Sequence, residues 1–183
     1  MCKWTITSRN PQAELDPVFD NSFDAHMKGR EGGSEHSGLH TLFGEKLFEV
    51  ENDRRDRDTG CSFIYRAKVR LGSKDQYNKV TWDDYKLSTF FPDDMCLTEI
   101  KTAVTYAWKQ YKGLKNSSND GHKQTFVGHN RVITGSNVKW VGEVKISHPD
   151  HGDFNVLIGS LQTGGGQENR IYNAFPAIDR SFF

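Results

Sequence analysis

Apolar and polar residues alternate most regularly in "CSFIYRAKVRLG", Cys61 to Gly72, where Phe63, Tyr65, Ala67, Val69 and Leu71 share one face of an extended chain. That period predicts a half-buried strand. "KLSTFFP", Lys86 to Pro92, predicts a second, short strand that Pro92 stops. The period then changes. In "DDMCLTEIKTAVTYAWKQYKG", Leu97, Ile100, Val104, Ala107 with Trp108, and Tyr111 recur at steps of three and four, which predicts an amphipathic helix. Asp93 or Asp94 is placed to cap its start and Gly113 to end it. Four strand-like pieces follow: "TFVGHNRVITG", "VKWVGEVKI", "FNVLIGSLQ" and "RIYNAFPAI". The breakers "HPDHGD" and "TGGGQEN" separate them, so a β-meander or small twisted sheet is expected, with the glycine run at a hairpin tip. "VENDRRDRDTG", Val50 to Gly60, is nearly all charge and reads as an exposed loop. Residues 1–20 hold two prolines and little periodicity. They read as a linker or loosely docked arm ahead of one domain at 21–183. The expected class is α+β, a helical N-terminal part followed by antiparallel β-sheets.

The length, 183 residues, suits one domain with a real core. Lys+Arg and Asp+Glu both number 24, so net charge names no partner. A dedicated duplex binder would be clearly basic. Cys2, Cys61 and Cys96 form no CxxC pair, and an odd, sparse set argues against a disulfide framework and against structural zinc. No apolar run approaches transmembrane length and the N-terminus is too polar for a signal peptide, so no membrane partner is expected.

The candidate chemistry sits in "FDAHMKGREGGSEHSGLH", Phe23 to His40, which holds three of the seven histidines among glycines. His36 and His40 are four apart, but "HSGLH" lacks the glutamate of HExxH. No GxSxG elbow is present, and "TGGGQEN" lacks the Lys-Ser/Thr ending of a P-loop. His122, His129, His148 and His151 lie in or beside turns and read as solvated surface histidines. His26 and His40 differ. They are fourteen positions apart with glycines between, so the loop can fold one ring toward the other. Two facing imidazoles can divide acid and base work, and a nearby lysine can stabilise developing negative charge. That trio suffices to cleave RNA: one ring takes the proton of a ribose 2′-OH, the other protonates the leaving 5′-oxygen.

"HMKG" with "SGLHTLFG", then "KLSTFFPDDMCLTEIKTAV", then "RIYNAFPAI", resembles the EndoU endoribonuclease family, in its bacterial toxin branch. The resemblance covers roughly Phe23 to Ile178. It implies an EndoU/RNase A-like fold and cleavage of single-stranded RNA or tRNA, with a preference for uridine, to 2′,3′-cyclic phosphate and 5′-OH ends. It implies His26 as general acid, His40 as general base and Lys86 as the charge-stabilising lysine, with Lys79 and Lys68 as alternatives. Asn173 and Phe175 fall where the family has Thr and Tyr or Phe, and so would meet the base. Gly38 would let backbone approach the phosphate, and His36 reads as a bystander. No metal or other cofactor is expected, although some eukaryotic relatives use manganese, and no DNA partner. A cognate immunity protein and a secreted or delivered toxin acting in a target cell's cytoplasm are also implied. Two rivals stay open: an inactive RNA- or protein-binding module of the same fold, and a metal-binding β-rich domain using His26, His36 and His40.

Overall fold

A computed structural model describes residues 2–7, 16–29, 38–110, 119–120, 123–128, 131–136, 140–160, 163–164 and 167–178. Three short elements come first: β1 (Thr5–Thr7), β2 (Val18–Phe19) and the five-residue helix α1 (Phe23–Met27). A block of strands follows, β3 (Phe48–Val50), β4 (Asp56–Arg57), β5 (Tyr65–Lys74), β6 (Val80–Trp82) and β7 (Lys86–Phe90), with a 3-10 turn at Glu51–Asp53. The long helix α2 (Leu97–Gln110) comes next, then β8 (Asn119–Asp120), β9 (Lys123–Gly128), β10 (Arg131–Ser136), β11 (Trp140–His148), β12 (Gly152–Ser160), β13 (Thr163–Gly164), β14 (Gln167–Ile171) and β15 (Phe175–Pro176). The class is α+β, but no helical N-terminal part is present among the described residues. α1 is one short turn that Gly29, at φ +66°, ends, and a five-stranded sheet precedes α2.

β5 organises that sheet. It pairs antiparallel with β3 and β4 along one edge and with β6 and β7 along the other. The alternation read from the sequence holds: Tyr65, Ala67, Val69 and Leu71 are buried on one face and pack with Leu39, Leu42, Val50 and Phe90. Phe63 lies before the strand and joins the other core. The charged run 50–60 is less loop-like than expected. It holds β4, and Asp58 is buried because its carboxylate accepts the Gly60 and Cys61 N–H groups.

The second sheet has the order β1-β11-β12-β15, all antiparallel. α2 lies across it with Ile100, Ala103, Val104 and Ala107 buried against Trp140, Val144, Ile146, Val156 and Ile158. The contact is backbone-close at one point: a Cβ on Gly142 would stand 1.8 Å from the Ala107 carbonyl oxygen. β14 pairs in parallel with β2, so not every pairing is antiparallel. Gly164, the first of the glycine run, ends β13, which pairs antiparallel with β14; the rest of the expected hairpin tip lies outside the described residues.

The start of α2 differs from expectation. Neither Asp93 nor Asp94 caps it. Glu99 does, its two oxygens taking the Cys96 N–H and the Trp4 N–H, where the helix dipole also favours a negative charge. Asp93 accepts the Tyr65 hydroxyl and Asp94 the Trp4 indole N–H. The Gly113 stop lies outside the described residues. Within the segment read as an arm, Trp4 is buried beside Phe63, His148 and Phe154. Cys2 and Cys96 form a disulfide with Cα atoms 5.6 Å apart. An odd cysteine count did not preclude one bridge: Cys61 is the buried remainder.

Candidate active site

α1 and the 38–41 segment lie side by side through backbone hydrogen bonds. Leu39 N–H donates to the His26 carbonyl at 2.8 Å, and His40 N–H to the Met27 carbonyl at 2.7 Å. Gly38 makes this approach possible. Its φ is +93°, and a Cβ there would stand 2.0 Å from the His26 oxygen. The two rings therefore meet, with centroids 5.5 Å apart and planes inclined at 39°. The His40 backbone is tied on its other side, where Phe91 N–H donates to the His40 carbonyl at 3.0 Å. The pair thus sits along the edge of β7. Phe175, from β15 of the other sheet, brings its ring to 5.9 Å from His40. The site occupies the seam where the two sheets meet.

His40 Nδ1 lies 2.9 Å from the Thr89 carbonyl oxygen and 3.0 Å from Ser88 Oγ. A carbonyl can only accept, so Nδ1 carries the hydrogen, and the neutral ring keeps its lone pair on Nε2. Burial, reinforced by charge on His26 and opposed by the Thr89 carbonyl, pushes the His40 imidazole down to about 3. His40 is therefore an unprotonated, oriented base at neutral pH. His26 is 8% exposed, on the last turn of α1.

Lys86 lies on β7 two residues before Ser88, on the same face, beside Val69. That is ~7 Å along the strand, a gap that a lysine's four-carbon stem can bridge. Lys68, one of the two alternatives, points to the opposite face of the sheet and pairs with Glu51 at 3.3 Å. Lys79 lies on the turn between β5 and β6, where its N–H bonds to Asp75. Asn173 is held by Ser160, whose hydroxyl lies 2.8 Å from both its carbonyl and its side-chain oxygen. Phe175 is 5% exposed, so its ring is core as well as site wall. Gly38 acts sterically, by letting His40 reach His26. His36, His122 and His129 lie outside the described residues.

Two features escaped the sequence reading. Ser88 and Thr89 orient His40, although STFFP carried no role beyond a family marker. His148 is buried at 4% exposure, not solvated: Asp150 N–H donates to its Nδ1, His151 stacks on the ring and Trp4 packs against it at an inclined angle. Among the described residues one group of metal-ligand types converges, Cys2, Cys96 and Glu99. Its sulfurs are bonded to each other and its carboxylate to two backbone N–H groups. No family model, no curated protein and no solved structure matches this chain.

Proposed function

We propose that the chain is an EndoU-like endoribonuclease that cleaves single-stranded RNA by transesterification. The observation that supports this best is the His26–His40 pair, 5.5 Å between rings, with Nδ1 of His40 committed to Thr89 and Nε2 left as acceptor. A scissile phosphate between the rings would put Nε2 of His40 at the ribose 2′-OH. The 2′-oxygen attacks phosphorus, the 5′-oxygen leaves, and His26 gives it a proton. The products are a 2′,3′-cyclic phosphate and a 5′-OH. Lys86 would offset charge on the non-bridging oxygens. Phe175 and Asn173 would meet the base, with uridine preferred.

The burial that keeps His40 neutral also weakens it as a base. A phosphate anion beside the ring favours the imidazolium and restores basicity in the complex. The disulfide fits a protein that passes through an oxidising compartment, which is compatible with a delivered toxin paired with an immunity protein. The test is cleavage of a labelled uridine-containing RNA, with and without EDTA, against the same RNA carrying 2′-deoxyribose at the cut. Cleavage of the ribose substrate alone, EDTA-resistant and giving cyclic-phosphate ends, is expected. Cleavage of the deoxy substrate, or a 5′-phosphate product, would show that water is the nucleophile.

A further inference from the structure

The outer face of the β5 sheet carries a surface that the two-histidine chemistry does not use. Arg66, Lys68 and Arg70 occupy alternate positions on β5 and project from this face at intervals of ~7 Å, and Lys74 follows two steps further on, past Gly72. The Arg70 guanidinium is held between two rings, 4.9 Å from the centre of Trp82 and 4.7 Å from that of Tyr85. Trp82 is 36% exposed and Leu87, beside Lys68, is 55% exposed. A hollow of about 300 Å³ opens between Lys68, Leu87 and the Glu51 turn. Glu49 and Glu51 pair with Arg70 and Lys68 from the β3 side, leaving the aromatics on the β6–β7 side. Exposed ion pairs of this kind hold only weakly, on the order of 0–1 kcal/mol, so a phosphate can displace the carboxylates.

We infer that this face is a track for single-stranded RNA leading to the histidine cleft. Cations at even spacing meet successive phosphates, and the Trp82–Arg70–Tyr85 stack gives bases a preset aromatic platform. β7 connects the two sites: Ser88 faces His40 on the inner side, and Leu87 faces the track on the outer side. Substrate crossing the edge of β7 would pass from one to the other. A protein partner would also use tryptophan, tyrosine and arginine. The regular cation row beside stacking rings favours a repeating polyanion with flat bases. The inference deepens the RNA reading and names how substrate longer than the cleaved step is held.

The experiment compares a fluorescent, uncleavable 2′-O-methyl 12-mer with a cleavable uridine dinucleotide, in the wild type, Trp82→Ala and the double variant Arg70→Ala/Lys74→Ala. Thermal unfolding serves as the folding control. Loss of one stacking partner should weaken 12-mer binding roughly 5- to 150-fold. The double variant should lower the slope of log affinity against log salt by about 1.4, or 0.7 per phosphate contact on a single strand. Dinucleotide turnover should be unchanged in all three. If wild type and variants bind the 12-mer alike while the dinucleotide is cleaved, the track is wrong and the cleavage reading stands. Variant-sensitive 12-mer binding without dinucleotide cleavage would keep the track and remove the nuclease. Unaltered RNA binding with loss of a co-purifying protein would assign the face to that protein and overturn the track.

Discussion

Replacing Gly38 by alanine tests whether the site depends on a backbone contact that only glycine permits. The new Cβ would stand 2.0 Å from the His26 oxygen, where 3.4 Å is ordinary contact, so the two backbones must part by about 1.4 Å. That oxygen accepts the Leu39 N–H, so the same movement breaks a hydrogen bond that docks the loop. The left-handed φ of +93° costs alanine about 1–2 kcal/mol, and the lost bond about 1 kcal/mol more. Gly44 is the control: its φ is +80° and nothing lies within 4 Å of a Cβ there. Gly44→Ala should lose about 1–2 kcal/mol by denaturant unfolding and keep full RNA cleavage. Gly38→Ala should lose about 2–3 kcal/mol and roughly 100-fold or more in cleavage rate, because a misplacement near 1 Å is costly when two groups flank one reacting atom. With both variants confirmed folded by circular dichroism under assay conditions, the comparison isolates geometry. Equal cleavage by the two variants would refute the argument that Gly38 sets the His26–His40 distance.

Other expectations follow from the same geometry. His40 is held neutral in the fold, with its value depressed from 6.5 to about 3, so the unfolded chain binds the proton first. Its contribution is fully present above pH 6.5 and should be lost by up to about 1.4 kcal/mol per pH unit as pH falls toward the folded value; the His40→Gln variant should lack that part of the slope in unfolding titrations. The acid limb of kcat/KM, which reports the free protein, should lie below that of kcat, since bound phosphate favours the imidazolium; coincident limbs would remove the proposed substrate assistance. Lys86→Ala should lower kcat ~100-fold while Lys68→Ala leaves it near wild type, because only Lys86 shares the Ser88 face; equal, small effects would place the charge stabiliser elsewhere. Reduction of Cys2–Cys96, which are 94 positions apart, should destabilise the domain by about 4.7 kcal/mol, or roughly 10–20 °C in Tm. A Tm unmoved by reductant would mean that β1 docks without the bridge.

The local period was enough to find β5, β7 and α2, because each buries one face and the spacing of its apolar residues records that face directly. It was enough for the β11–β12 region for the same reason. The helical N-terminal part was an overreach: glycines and charges in 23–60 do not specify a period, and the strands there form through pairing with β5. The disulfide was invisible for a related reason. Cys2 and Cys96 are joined by the docking of Trp4 beneath α2, 95 positions away at Glu99, and of β1 on β11, where Thr5 pairs with Ser147. Trp4 and His148 are buried by those same contacts, although each stands in a stretch that reads as surface. His26 and His40 were legible as residue types with a flexible spacer. Their approach required the backbone pairing of 38–41 with α1, and the tautomer of His40 required the Thr89 carbonyl at the edge of β7. The side of the sheet on which Lys86 and Lys68 fall was likewise a matter of register. A lysine's neighbours in sequence do not say which face it joins; pairing with Val69 puts Lys86 inside, and Lys68, one residue away from Val69, is turned outward.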